Sequence, residues 1–185
     1  MGLIGHNGGP SVGSGESWRR HRWRQARAAL LPTLSIEVLR TRVKRAKALG
    51  LDYQTYASVR AATGHDVVAF LFSSNALRIA PIRPAVPHDR ATKLAAIADC
   101  QRITLAQGLP PSLILAANAG FPDAAHAAPH SFADFRQRHA VLRLALKHVP
   151  GDRVLLIGDT GLEREWCAAG RLAGYLTADR YFATN

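Results

Sequence analysis

Val154-Leu155-Leu156-Ile157-Gly158-Asp159-Thr160 is the stretch from which the fold can be read. Its run of large aliphatic residues has the length of a strand buried on both faces, as strands inside a parallel sheet are. The Gly-Asp-Thr that follows ends the run and puts a carboxylate at the strand's carboxyl end, where an open α/β sheet collects its ligands. Leu162–Ala173 then has helical spacing, and Tyr175–Phe182 reads as a short terminal segment. Working back along the chain, Asp66–Phe72 (DVVAFLF) is a second buried run, ending in Ser73-Ser74-Asn75. Between the two runs, Pro81, Pro84 and Pro87 mark a loop, and the Ala-rich stretch 89–107 reads as helix. Pro110-Pro111 breaks the chain, and Leu113–Ala116 (LILA) reads as a short strand. Asn118–His130 reads as loop. Ser131 is placed to cap a helix to His148, with Phe132, Phe135, Val141, Leu142 and Leu146 turned inward. Strands alternating with helices predict an α/β class, a Rossmann-like parallel sheet flanked by helices, over 65–185.

A basic helical N-terminal region precedes this domain. Residues 1–15 carry six glycines and Pro10 without periodicity and read as a flexible arm. Ser17–Leu31 (SWRRHRWRQARAALL) reads as a helix stopped by Pro32. Ser35 is placed to cap a helix from Ile36 to about Leu49, ended by Gly50. Asp52 restarts a short helix through Tyr56 and Val59, closed by Gly64. The expected division is therefore 1–15 arm, 16–64 basic helices and 65–185 α/β domain. No internal repeat is visible.

Charge is unevenly placed. The 185 residues hold 24 Lys plus Arg against 13 Asp plus Glu, a formal +11. Residues 1–47 hold ten of the cations and two of the acids, so +8 of the total lies in a quarter of the chain. That concentration points to a polyanionic partner, nucleic acid first. Arg19, Arg20, Arg22 and Arg24 would supply salt-dependent phosphate contacts, and Trp18 and Trp23 between them suit stacking or packing. A solvated basic helix face is the plainer reading of the same run.

The segment 42–60 resembles the helix-turn-helix of bacterial repressors. Ala46 stands at the small position of the helix crossing, Gly50 at the turn, Leu51 and Asp52 after it, and Tyr56 and Val59 on the inner face. The resemblance implies that Tyr53, Gln54, Thr55 and Ser58 face a major groove, with Arg42, Lys44, Lys47 and Arg60 near phosphates. Arg45 departs from the pattern, which has an apolar residue there, and Tyr56 is bulkier than usual. The alternative is a helical hairpin that only packs on the sheet. The opening Leu3–Pro10 (LIGHNGGP) is also similar to the start of small bacterial, phage-like DNA-binding proteins.

Residues 154–175 resemble the last motif of haloacid dehalogenase-like phosphatases, in which a hydrophobic strand ends in Gly-Asp-Thr and the acid helps to bind Mg²⁺. That family also requires a nucleophilic Asp after its first strand and a second Asp two residues later. Here those places hold Ser73, Ser74 and Asn75, so aspartyl-phosphate chemistry is not available in the usual way. Asp159, Ser73 and Asn75 remain the candidate catalytic residues, with hydroxyl and amide donors able to hold an anion. Asp159 equally suits a helix cap.

Few other constellations stand out. Cys100 and Cys167 have no ligand or disulfide spacing and read as reduced and buried. His126 and His130 flank Pro129, which spoils a shared helical face for a metal; His65-Asp66 reads as a surface turn. Glu163 and Glu165, two apart, do not form a dyad, while Trp166 and Cys167 read as core. No cofactor is expected, Mg²⁺ only if the phosphatase resemblance holds. Without a run of about 18 apolar residues or an apolar leader, a membrane span is excluded and a cytoplasmic location expected. The leading expectation is a small nucleic-acid-binding, regulatory protein. A divergent phosphohydrolase or transferase is the alternative, and a protein docking on an acidic partner, or a homo-oligomer, the third.

Overall fold

The computed structural model describes residues 34–183. The expected arm, the helix at 17–31 and the cations Arg19, Arg20, Arg22 and Arg24 lie outside them. The architecture is α/β, with five parallel strands flanked by helices, as expected. Strands β1 (Ala69–Ser73), β2 (Gln101–Ala106), β3 (Ala124–Ala127), β4 (Val154–Gly158) and β5 (Gly174–Thr177) lie side by side in the order β3-β2-β1-β4-β5. β1 is central, pairing Ala69 with Gln101 on one side and with Val154 on the other. β1 and β4 are buried at every position, which explains their unbroken apolar runs.

Seven helices accompany the strands among the described residues: α1 (Ile36–Ala48), α2 (Tyr53–Thr63), α3 (His88–Ala95), α4 (Pro111–Ala117), α5 (Phe135–Leu146), α6 (Gly161–Gly170) and α7 (Ala178–Ala183). The α1–α2 turn uses Gly50 at φ +66°, and α2 is capped by Asp52 and closed by Gly64 at φ +77°, as the sequence predicts. Phe70 and Phe72 of β1 face one core layer, with Leu49, Tyr56 and Val59 of the hairpin, Leu94 of α3, Ile114 of α4 and Tyr181 of α7. Leu71 faces the other layer, with Leu142 and Leu146 of α5 and Trp166 of α6. The hairpin thus covers one face of the sheet, and the expected boundary at residue 64 does not separate two cores. One compact unit runs from Arg40 onward.

Arg45, the residue that breaks the helix-turn-helix pattern, ties the hairpin to the sheet. Its Nε donates to Asp66 Oδ2 at 3.0 Å, and its terminal nitrogens donate to the carbonyls of Val67, Ala98 and Asp99 at 2.9–3.0 Å. Tyr56 completes the joint by donating to Asp66 Oδ1 at 2.9 Å. Asp66 serves this joint, while His65 lies 3.5 Å from Asp152 at the surface.

Several expected elements differ. The stretch 89–107 is not one helix: α3 stops at Ala95, Asp99 turns the chain at φ +53°, and 101–106 is a strand. Its alanines raise the helical signal, but Ile103 and Leu105 are buried between sheet layers. Leu113–Ala116 is helix rather than strand, because Pro110-Pro111 sets up a helical first turn and four apolar residues alone fit either state. The 118–130 loop contains β3, an edge strand without a β-branched residue. The terminal segment holds β5 and α7. Helix α5 starts later than expected, capped by Asp134 in a capping box with Gln137, which leaves Phe132 and Phe135 exposed, not inward.

Replacing Arg45 by Met should strand the Asp66 carboxylate and three carbonyls, costing about 2 kcal/mol. We expect a fall in Tm of about 4–8 °C, and an unchanged melting curve would show that the joint contributes nothing.

A crevice at the carboxyl edge of β1 and β4

Chain direction creates the site. From β1 the chain moves to β2 and β3, with α3 and α4 on the Phe70 face. It then returns past β1 to β4 and β5, with α5 and α6 on the opposite face. The loops leaving β1 and β4 therefore part in opposite directions and open a crevice between them, the place where sheets of this kind bind ligands.

The loop leaving β1 is Ser73-Ser74-Asn75. Ser73 and Ser74 are fully buried and shape the backbone: Ser73 Oγ accepts from the Ala76 amide and Ser74 Oγ from the Gln107 amide, both at 3.0 Å. Asn75 points across the crevice and donates from Nδ2 to Glu163 Oε1 at 3.0 Å. The loop leaving β4 is Gly158-Asp159-Thr160. Thr160, rather than Asp159, caps α6, its hydroxyl accepting from the Glu163 amide at 3.3 Å. Glu163 answers with Oε2, which accepts from the amides of Asp159 at 2.5 Å and Thr160 at 3.0 Å. Its carboxylate is fully buried and binds three donors from both loops.

Two neighbours hold this arrangement closed. A Cβ on Gly158 would lie 2.6 Å from the Tyr175 ring and 2.9 Å from Glu163 Oε2, so the close approach requires glycine. Tyr175 Oη donates to the Thr160 carbonyl at 3.2 Å, and burial, then the charges of Glu163 and Asp159, push its phenol above the ordinary range. Asp159 itself is exposed at the rim. Behind the β1 loop, Arg90 of α3 is only 4% exposed. It donates to the Ala76 carbonyl and lies over the Phe182 ring, 4.5 Å from its centroid.

Asp159, Ser73 and Asn75 therefore lie at one sheet edge, and Glu163 links the Asn75 side chain to the Asp159 amide. The sequence offered Glu163 only as half of a rejected dyad, yet Thr160-x-x-Glu163 has the spacing of a capping box and marks it. Arg90 had no such signal among 24 cations. The Mg²⁺ site of the resembled phosphatases does not fit these residues. Both Glu163 oxygens already accept N–H bonds, and the family's acidic positions after β1 hold Ser73, Ser74 and Asn75. Among the described residues no group of three His, Cys, Asp or Glu could hold a metal, the His126 and His130 pair included.

The groove-reading residues of the hairpin do not converge. Thr55 is buried, donating to Asp52 at 2.5 Å and accepting from Arg180 at 2.8 Å. It cannot present itself to a groove, because the face of α2 that carries it lies on the sheet. Tyr53 is half-buried; Gln54 and Ser58 are exposed, with Ser58 bonded to the Thr55 carbonyl at 3.1 Å. Lys44 and Lys47 are exposed, Arg42 is half-buried, and Arg60 leans on the Tyr56 hydroxyl at 3.4 Å. The cysteines are free but only partly buried, and burial pushes the Cys100 thiol up to about 12. No helix among the described residues is long and apolar enough to cross a membrane.

Comparison of the chain with known protein families, with curated proteins and with solved structures finds no match.

Glu163→Ala should orphan the amides of Asp159 and Thr160 and the Asn75 side chain together. We expect a loss of about 3 kcal/mol in chemical denaturation, with Asn75→Ala costing less; equal stability of Glu163→Ala and the parent would remove Glu163 as the link.

Proposed function

We propose that the α/β domain binds a phosphorylated small molecule in the crevice between the ends of β1 and β4. The observation that carries this reading is the meeting of Ser73–Asn75 with Gly158–Thr160 at the point where the chain reverses its direction across the sheet, joined by the buried Glu163 carboxylate. Glu163 positions both loops; it does not bind ligand, since its oxygens are used. Asp159, exposed at the rim, is an acceptor suited to a ligand hydroxyl. The likeness of 154–175 to a phosphatase motif supports a phosphorylated ligand. The absence of aspartate after β1 argues for binding, or for transfer without an aspartyl-phosphate intermediate. Titrating the full chain with a panel of sugar and polyol phosphates should move the NMR signals of Asn75, Asp159 and Thr160 saturably. Asp159→Asn should weaken binding roughly tenfold, about the energy of one hydrogen bond to a charged group. Signals that stay fixed at millimolar ligand would defeat this reading.

A second reading rests on charge alone. The +8 of residues 1–47, with Lys44 and Lys47 exposed on α1, supports nucleic-acid binding by the N-terminal part. Removing the hairpin to test it would uncover the sheet, so charge neutralisation is the cleaner probe. Changing Arg19, Arg20, Arg22 and Arg24 to Gln in the full chain should abolish salt-dependent binding to DNA or RNA. Binding that is unchanged, or insensitive to salt, would reject it.

A further inference from the structure

Arg90 is a buried cation that no carboxylate neutralises. Among the ion pairs of the described residues, those of Arg45, Arg102 and Arg138 have a carboxylate within 4 Å; Arg90 has none. One terminal nitrogen is taken by the Ala76 carbonyl, one ring face is covered by Phe182, and the buried Nε has no hydrogen-bond partner. A guanidinium is costly to bury in that state, because three separate N–H directions must be stripped of water.

Its surroundings make a structural explanation insufficient. Arg78, two residues beyond the Ala76 carbonyl that Arg90 binds, is exposed and at φ +55°, an unusual conformation for a residue with a side chain. Burial first, and then Arg78, push the Arg90 guanidinium below its ordinary range; Asp89, Asp159 and Asp179 act in the opposite direction without contacting it. Arg90 thus reaches the loop leaving β1 through the Ala76 carbonyl, Arg78 belongs to the same loop with its amide on the Asn75 carbonyl, and neither has a carboxylate within ion-pair distance among the described side chains. With one terminal nitrogen engaged by Ala76, the edge formed by Nε and the other terminal nitrogen is left. That edge is the fork that binds two oxygens of one anion.

We propose that Arg90 grips the phosphate of a phosphate monoester in the crevice, its Nε edge taking two oxygens, with Arg78 supplying the second positive charge that a dianion balances. This rests on the crevice reading above and names the group that recognises the ligand. Phe182, on the short α7, covers the guanidinium and would have to yield for the anion to seat.

The test uses the full chain with phenyl phosphate, inorganic phosphate and benzoate as probes. The NMR signal of the Arg90 Nε–H, assigned by its loss in Arg90→Lys, should shift saturably with both phosphates. Arg90→Lys keeps the charge and loses the fork, and it should bind phenyl phosphate at least tenfold more weakly while its amide NMR spectrum shows it folded. Arg78→Gln should weaken binding severalfold without touching the Ala76 contact. Phosphate binding with the Arg90 signal unmoved, and equal affinity in Arg90→Lys, would overturn the role of Arg90 and leave the crevice reading intact. Failure of both phosphates to bind the parent would overturn both. Benzoate binding as tightly as phenyl phosphate would overturn the choice of phosphate.

Discussion

A single buried carboxylate joins the two halves of the sheet at their working end. Glu163 reaches the loop after β1 through Asn75 and the loop after β4 through two backbone amides, residues 88 apart in the chain for the first of these contacts. An ionised carboxylate taken out of water is tolerated only when its lone pairs are filled by well-placed donors. Here they are filled by the groups that border the crevice, so the geometry of the crevice and the satisfaction of the charge are one constraint. Gly158 belongs to it as well, since any side chain there would collide with the carboxylate and with Tyr175.

The same economy explains the hairpin. Its basic and aromatic residues suggest a nucleic-acid surface when read as a string, but Arg45 turns all three of its nitrogens to Asp66 and three carbonyls. Tyr56 and Thr55 turn toward the core, and Arg180 comes from the far end of the chain to bond Thr55. Helix α2 therefore offers solvent Gln54, Ser58, Ala61 and Ala62. A helical pair with a glycine turn is the economical way to cover an open sheet face. The cation that departs from the repressor pattern is the one that makes the joint.

The parts of the fold that were legible in the sequence are those whose burial is complete. β1 and β4 announce themselves because neither face can carry a polar residue, and α2 because Asp52 and Gly64 mark both ends. β2 and β3 were hidden for a physical reason. β2 begins exposed, and β3 is an edge strand of small residues, so neither has the continuous apolar run or clean alternation that marks a strand. The helix at 111–117 carries an apolar tetrad that suits a strand equally well. At the site, Asp159 and Asn75 were visible as polar residues closing apolar runs. Glu163 and Arg90 were not, because their importance comes from what the fold brings to them over long separations.

The occupation of α6's first turn by Glu163 has a consequence for any anion in the crevice. Helix N-termini are ordinarily ready anion sites, with free amides and the positive end of the helix dipole. At α6 the amides of Asp159 and Thr160 already serve the protein's own carboxylate, and the local dipole is offset by that charge. A ligand phosphate arriving between β1 and β4 finds the Asp159 and Thr160 amides already taken and the negative charge of Asp159 at the rim. In the proposed binding mode the opposing charge comes from Arg90 and Arg78 on the other wall, neither of which has a carboxylate within ion-pair distance among the described residues. The carboxylate that gives the two loops their fixed geometry thus also separates this crevice from the metal-assisted arrangement that the Gly-Asp-Thr sequence alone brings to mind.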